Sequence, residues 1–247
     1  MFENLLSFTM VLTRLSAFFM LLPVFGWKAI PVRIKVAVTV LLAIFFSIIM
    51  PSPIDSEEVP TLQVIILLAN EATYGLALGL MVVLIFSVVK MAGRMVERQM
   101  GLVMARIIDP LSGDTAQPLS SLLEMIFIVL FLNANGHHFF ILIISKSYQA
   151  FPAGSIPTIP VLANGVISAG SSMFVASLRL AAPMFGAFLL LMVALAILAR
   201  TVPEINILFI SLPLRIGLGL FMAAIFLPFI NGFVSEFANW MVKLLPL

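Results

Sequence analysis

The chain has no cysteine among its 247 residues. Disulfide scaffolds, thiolate metal sites and cysteine nucleophiles are thereby excluded. Its two histidines, His137 and His138, are adjacent, and no second cluster accompanies them, so a multi-histidine metal site is excluded too. Charge is scarce: 13 Lys and Arg and 11 Asp and Glu make up 10% of the chain, where a soluble domain carries about a quarter. So few charged groups cannot cover a water-facing surface for a chain of this length. The net charge of +2 makes no case for nucleic acid. Tyrosine and tryptophan are rare, two of each against 22 phenylalanines. No G-x-x-x-x-G-K-S/T, G-x-S-x-G or H-E-x-x-H pattern occurs. Serines such as Ser171 and Ser172 have no base near them in sequence, so an intramembrane hydrolase has little support.

What is present is apolar. The chain is 62% hydrophobic, with a mean hydropathy of +1.21. It reads as an all-α integral membrane protein, since a long apolar run in lipid must satisfy its own backbone hydrogen bonds. About six hydrophobic blocks are delimited by the charges: Leu5–Phe25, Val36–Met50, Leu62–Val89, roughly Leu119–Ile144, Val161–Ala199 and Ile205–Phe237. The first is preceded by Glu3 rather than by a basic leader and reads as a retained helix. Asn133, Asn135 and Gly136 are polar enough to break the fourth. The fifth is long enough for one tilted helix with a bend or for a hairpin. Pro183, Pro213 and Pro228 lie inside blocks and predict irregular, broken helices. No internal repeat is present, and residues 1–247 read as a single membrane-embedded domain.

With six crossings, Lys28, Arg33, Lys35, Lys90, Arg94, Arg98, Arg106 and Arg200 share one side, and Asp55, Glu57 and Glu58 face the other. The positive-inside rule makes the basic side cytoplasmic. The one substantial polar segment is Lys90–Pro118. Met91 and Met95 alternate there with Arg94, Glu97, Arg98 and Gln99, as in an amphipathic helix, and a turn follows at Asp109–Pro110. Arg14, Arg179, Arg215, Glu71 and Glu124 lie within apolar blocks, where an ionisable group is costly and must face protein or water. Each is either structural, as an ion pair or a snorkelling end residue, or functional, lining an aqueous path or holding a gate, and the sequence does not say which carboxylate meets which arginine. Glu71, Gly75 and Gly79 share one helix face, the glycines permitting close helix approach. The 15 methionines suit irregular core packing or a deformable seal.

Ordered residues add a resemblance. Arg14, Pro23, Pro31 and Arg33 are followed by Gly75 and Gly79, Ala92–Gly93 and Gln99–Met100–Gly101, then by Asp109–Pro110. Phe131–Leu132–Asn133–Ala134–Asn135–Gly136–His137 comes next, then Arg179, Ala182 and Pro183. A long apolar run closes in Leu198–Ala199–Arg200–Thr201–Val202–Pro203–Glu204–Ile205–Asn206, with Pro213 and Gly217 beyond. Over essentially its whole length the chain resembles the FliR family of type III export-gate proteins. The Asn-Gly-His stretch looks more like the flagellar branch than the virulence one. Glu204 stands where many relatives carry a glutamine-like residue.

The resemblance implies a non-enzymatic, cofactor-free subunit, one copy in a helical hetero-oligomeric export gate with FliP, FliQ and FlhB. It implies the inner membrane, at the flagellar basal body, with unfolded flagellar subunits as cargo. Relatives are built of irregular helical hairpins. On that reading Gly75, Gly79, Gly93 and Gly217 pack helices. Arg14, Glu71, Glu124, Arg179, Arg200, Glu204, Asn206 and Arg215 make buried polar or inter-subunit contacts. Gln99, Gly101, Asp109 and Pro110 belong to a candidate gate segment. The competing readings are a virulence-secretion subunit, a small-molecule secondary transporter, and a scaffold whose gate opens through other subunits.

Overall fold

The structure is a computed structural model that describes residues 2–23, 30–49, 60–102, 117–155, 159–204 and 206–244, the side chains of 2–4, 208 and 229–244 excepted. Every regular element longer than a single turn among them is an α-helix. We label these α1 (Phe2–Leu21), α2 (Val32–Ile49), α3 (Thr61–Met100), α4 (Pro118–Asn133), α5 (His137–Ala150), α6 (Ile159–Thr201) and α7 (Ile207–Leu244).

Four of these helices are long and apolar enough to cross a membrane, or five if α4 and α5 count together as one broken span. The six crossings suggested by charge spacing are therefore not what helix length supplies, because the apolar part of α1, Leu5–Leu21, is short. The chain is a multi-pass membrane protein. Lys28, Asp55, Glu57, Glu58, Arg106, Asp109 and Pro110 lie outside the described residues.

Helix continuity departs from expectation in three places. The polar segment from Lys90 is no separate helix: α3 runs unbroken for 40 residues to Met100. It ends at Gly101, whose φ of 78° is the left-handed conformation a glycine adopts without a Cβ penalty. The fifth block is no hairpin, since α6 is one helix of 43 residues. The prolines interrupt neither α6 nor α7, which continue through Pro183, Pro213 and Pro228. A proline removes one N–H and leaves the rest of the ladder intact, and in an apolar setting no water competes for the remaining carbonyls. The break falls at 134–136 instead. Asn135 takes φ 59°, which asparagine tolerates, and its carbonyl accepts the His138 N–H at 3.0 Å to begin α5.

The chain forms two compact units, one of Met1–Phe86, Asn135–Ser171 and Ala238–Leu247, the other of Ser87–Ala134 and Ser172–Phe237. The first buries Met10, Leu15, Phe18, Leu22, Tyr74, Met81, Ile85 and Ile144. Its aromatic side chains pack edge-on or tilted: Phe140 lies 6.4 Å from Phe18 and 6.0 Å from Phe86, ring centre to ring centre. The second buries Val96, Met100, Leu123, Phe127, Phe131, Met184 and Phe188. Burial of the α3 sequence from Tyr74 to Met100 repeats at helical spacing, so apolar side chains face protein along that whole length.

Candidate functional site

In the first unit the most informative residue is Arg14, in the middle of α1. It is 1% exposed, and Glu71 opposite it on α3 is fully buried. The Arg14 Nε–H donates to Glu71 Oε2 at 2.6 Å. One further nitrogen, Nη1, donates to Ser147 Oγ of α5 and to the Phe151 carbonyl, each at 3.0 Å. The other Glu71 oxygen accepts the Gly154 N–H at 2.8 Å. Two aromatic rings flank the guanidinium, with Tyr74 at 4.7 Å and Tyr148 at 4.2 Å from ring centre to Cζ. The remaining nitrogen, Nη2, has no hydrogen-bond partner among the described residues. One arginine thus ties α1, α3, α5 and the 151–154 turn together.

The glycines make this approach possible. A Cβ on Gly75 would collide with the Arg14 carbonyl oxygen and reach 2.8 Å from Ala17 Cβ. On Gly79 it would come within 3.1 Å of Leu21 and of the Phe18 carbonyl. Glu71, Gly75 and Gly79, at i, i+4 and i+8, therefore lie against one side of α1, where the helix axes come close enough for the short Arg14–Glu71 contact.

A carboxylate centres the second unit's polar cluster too. Glu97 of α3 is 4% exposed. Its Oε1 accepts the backbone N–H groups of Leu119 and Ser120 at 2.6 and 3.0 Å, and its Oε2 accepts the Ser120 hydroxyl at 3.0 Å. Sequence reading assigned Glu97 to the polar face of an amphipathic helix. It instead points inward, because the first turn of α4 has orphan N–H donors that Gln117 does not cap with its own side chain. A negative charge there also meets the positive end of the α4 dipole. Around it Arg94 Nε donates to Gln117 Oε1 at 2.5 Å, and Lys90 pairs with Glu124 at 2.7 Å in a partly exposed bridge. A Cβ on Gly93 would reach 2.8 Å from Ser120 Cα, so this glycine sets the α3–α4 spacing.

Truncation of Glu97 to alanine is expected to cost about 3 kcal/mol, since two buried N–H groups lose a charged acceptor. Glutamine, which keeps one acceptor oxygen, should lose about half of that. Hydrogen exchange in detergent checks the cause: the Leu119 and Ser120 amides should exchange at least about tenfold faster in the alanine variant. Unchanged rates at those two amides would contradict it.

The other sequence-derived residues are distributed differently. Arg179 is exposed in the middle of α6, and no carboxylate lies within ion-pair distance among the described residues. Arg215 of α7 is half-buried, with its Nε buried and unpartnered among the described residues. Arg200 is exposed in the last turn of α6, and Glu204 is exposed in the turn that follows. Asn206 precedes α7 as its cap, its carbonyl accepting the Phe209 N–H at 3.2 Å. Gly217 has open space where a Cβ would stand, whereas a Cβ on Gly219 would come to 2.5 Å from the buried Met100 side chain. Gln99 and Gly101 are half-buried at the end of α3. His137 and His138 are both exposed.

Sequence reasoning missed Glu97, Ser147, Gly154, Gly219 and the tyrosines. A signal for the last existed: the chain has only two tyrosines, and both flank Arg14. In a chain that otherwise chooses phenylalanine, a retained hydroxyl marks a polar neighbourhood. The others depend on helix packing.

The model of the bacterial export proteins, family 1, matches residues 5–240. The flagellar biosynthetic protein FliR of Bacillus subtilis (strain 168) is 30% identical over 226 residues, covering 87% of this chain and 84% of the relative. FliR of Escherichia coli (strain K12) is 28% identical over 234 residues, covering 95% and 89%. The Yop proteins translocation protein T of Yersinia pestis is 24% identical over 229 residues, covering 90% and 86%.

Proposed function

Because the chain belongs to the bacterial export proteins, family 1, and with it to the FliR type III export-gate family, we propose that it is a non-enzymatic core subunit of the flagellar protein export gate. It is a membrane-embedded protein of the export apparatus. In the proposed role it helps to form the closed entrance through which unfolded flagellar subunits leave the cytoplasm, in the inner membrane at the basal body. One copy of this single membrane-embedded domain stands beside several copies of FliP and FliQ, with FlhB associated.

The observation that carries the reading is helix length. α3, α6 and α7 have 40, 43 and 38 residues, or roughly 60, 65 and 57 Å at 1.5 Å per residue. The hydrocarbon core is only about 30 Å thick. Helices about twice that length, apolar over most of their course and charged chiefly toward the ends of α3 and α7, suit a subunit whose surface is covered largely by other protein. Within such a gate the Arg14 and Glu97 clusters hold the subunit's own helices, and the Gln99–Gly101 end of α3 borders the constriction.

Affinity purification from native membranes in mild detergent, followed by intact-complex mass, tests the assembly. One copy with multiple FliP and FliQ chains is expected. A stable monomer or homodimer, under conditions that preserve other membrane complexes, would overturn the proposal. The constriction is tested separately: Gly101→Ala should raise ion leak with the assembly intact, and unchanged conductance and export would remove Gly101 from it.

A further inference from the structure

Helix α6 buries one side and leaves the opposite side bare. Ser177, Ala181, Met184 and Phe188 are buried within the second unit. Val175, Arg179, Ala182, Gly186, Leu189 and Val193 are all exposed. Their spacing is 4-3-4-3-4 along the helix, which keeps one straight seam toward a facing helix. Gly186 meets nothing within 4 Å where its Cβ would be, so the seam has a notch beside Ala182. One turn from its N-terminal end stands Arg179, a cation with no carboxylate in reach among the described residues.

The seam, roughly 27 Å long at 1.5 Å per residue, is within the thickness of a bilayer core. Its arginine, unpaired among the described residues, is nevertheless costly in lipid, and lipid does not account for the whole apolar length of α6. Large apolar side chains are exposed on α6 from Ile159 to Ile197, a length of roughly 57 Å at 1.5 Å per residue. A bilayer core of about 30 Å would cover it only at a tilt near 60°, beyond the usual range of up to about 40°. Protein must cover the remainder. A second copy of this chain fits poorly, since packing the seam in register against itself sets Arg179 against Arg179. A neutral apolar helix would leave the arginine unpaired in a dry interface, which is costly.

We propose that the Val175–Val193 seam of α6 is the docking site for one apolar helix of a different membrane subunit, and that this helix carries an aspartate or glutamate facing Arg179. The proposal rests on the export-gate reading in taking the chain as part of a larger membrane assembly. Ala182 and Gly186 let the partner helix approach closely, and the ion pair sets its register along the seam. Apolar contact supplies area and the arginine supplies selectivity, because a partner helix without the carboxylate leaves the charge buried and unmatched.

The test uses the full tagged chain in native membranes, with a benzophenone phenylalanine placed at Ala182 or at Leu189. Photolysis and peptide mass spectrometry should find one segment of another polypeptide, apolar, with an Asp or Glu within one helical turn of the crosslink. Arg179→Glu should lower co-purification of that polypeptide at least tenfold at unchanged chain level, and Arg179→Lys should retain most of it. Changing the identified carboxylate to arginine should restore recovery with Arg179→Glu. Because Arg179 is exposed, these variants leave the chain's own packing alone. Crosslinks only to lipid, to a second copy or to another segment of the same chain would overturn the docking site. So would unchanged recovery in Arg179→Glu. In those cases the wild-type assembly would still be recovered and the export-gate reading would stand. Recovery of the wild-type chain alone would overturn both.

Discussion

Arg14→Met is expected to lower the stability of the detergent-solubilised protein by about 3–5 kcal/mol, the usual consequence of removing one member of a buried ion pair. For a chain of this size that is a fall in apparent Tm of roughly 10 °C. The loss has several sources. Glu71 would be left fully buried without its cation, and the Ser147 hydroxyl and Phe151 carbonyl would lose their donor. Arg14→Lys should recover little, because a single ammonium cannot match the guanidinium's fork or lie flat between Tyr74 and Tyr148. Glu71→Leu alone should cost a similar amount and also orphan the Gly154 N–H. The double variant should cost less than the sum by at least about 2 kcal/mol, since neither uncompensated charge remains. It should stay below wild type, because the hydrogen-bond partners on α5 and in the 151–154 turn remain unmatched. Thermal unfolding of the four proteins in one detergent decides it. Strict additivity would mean that the two residues do not act as a pair.

Gly75→Ala should be nearly as harmful, at about 3 kcal/mol, the upper part of the usual range for overpacking. The added methyl would meet the Arg14 carbonyl oxygen and Ala17 Cβ. Neither is the free end of a flexible side chain, so α1 itself must move. Moving α1 displaces Arg14 from Glu71, so Gly75→Ala combined with Arg14→Met should fall short of the sum of the two. Gly79→Ala, with nearest atoms at 3.1 Å, should cost less. Gly186→Ala and Gly217→Ala serve as controls. Both positions lie in helices with open space beside them, and alanine there should stabilise the isolated chain by up to about 1 kcal/mol through helix propensity. Apparent Tm values rank the four substitutions, and equal losses at Gly75 and Gly217 would refute the steric account.

Much of the architecture was legible in the chain. Apolar runs interrupted by isolated charges require helices in a membrane, and the Asn133–Gly136 stretch marked the point where one breaks. Pro183, Pro213 and Pro228 misled, because a missing N–H weakens a helix without ending it when nothing competes for the neighbouring carbonyls. Residues 90–100 misled for another reason. Arg94 and Arg98 are exposed as their polarity suggests, but Glu97 between them is buried. Helical periodicity reports which residues share a face and is silent on a helix N-terminus that the face meets.

The sequence by itself determined the class of protein, the family and the residues that had to find partners. Hydropathy, backbone self-satisfaction and the cost of a charge at membrane depth are properties of a residue and its near neighbours. Pairing is a different kind of property. Arg14 meets Glu71 across 57 residues and Ser147 across 133, and Glu97 reaches the Leu119 N–H at the start of α4 across 22. Arg179 meets no described carboxylate at all, though its sequence surroundings look much like those of Arg14. Only the tertiary structure separated these arginines, because distance and burial depend on which helices pack together and how closely their glycines let them approach.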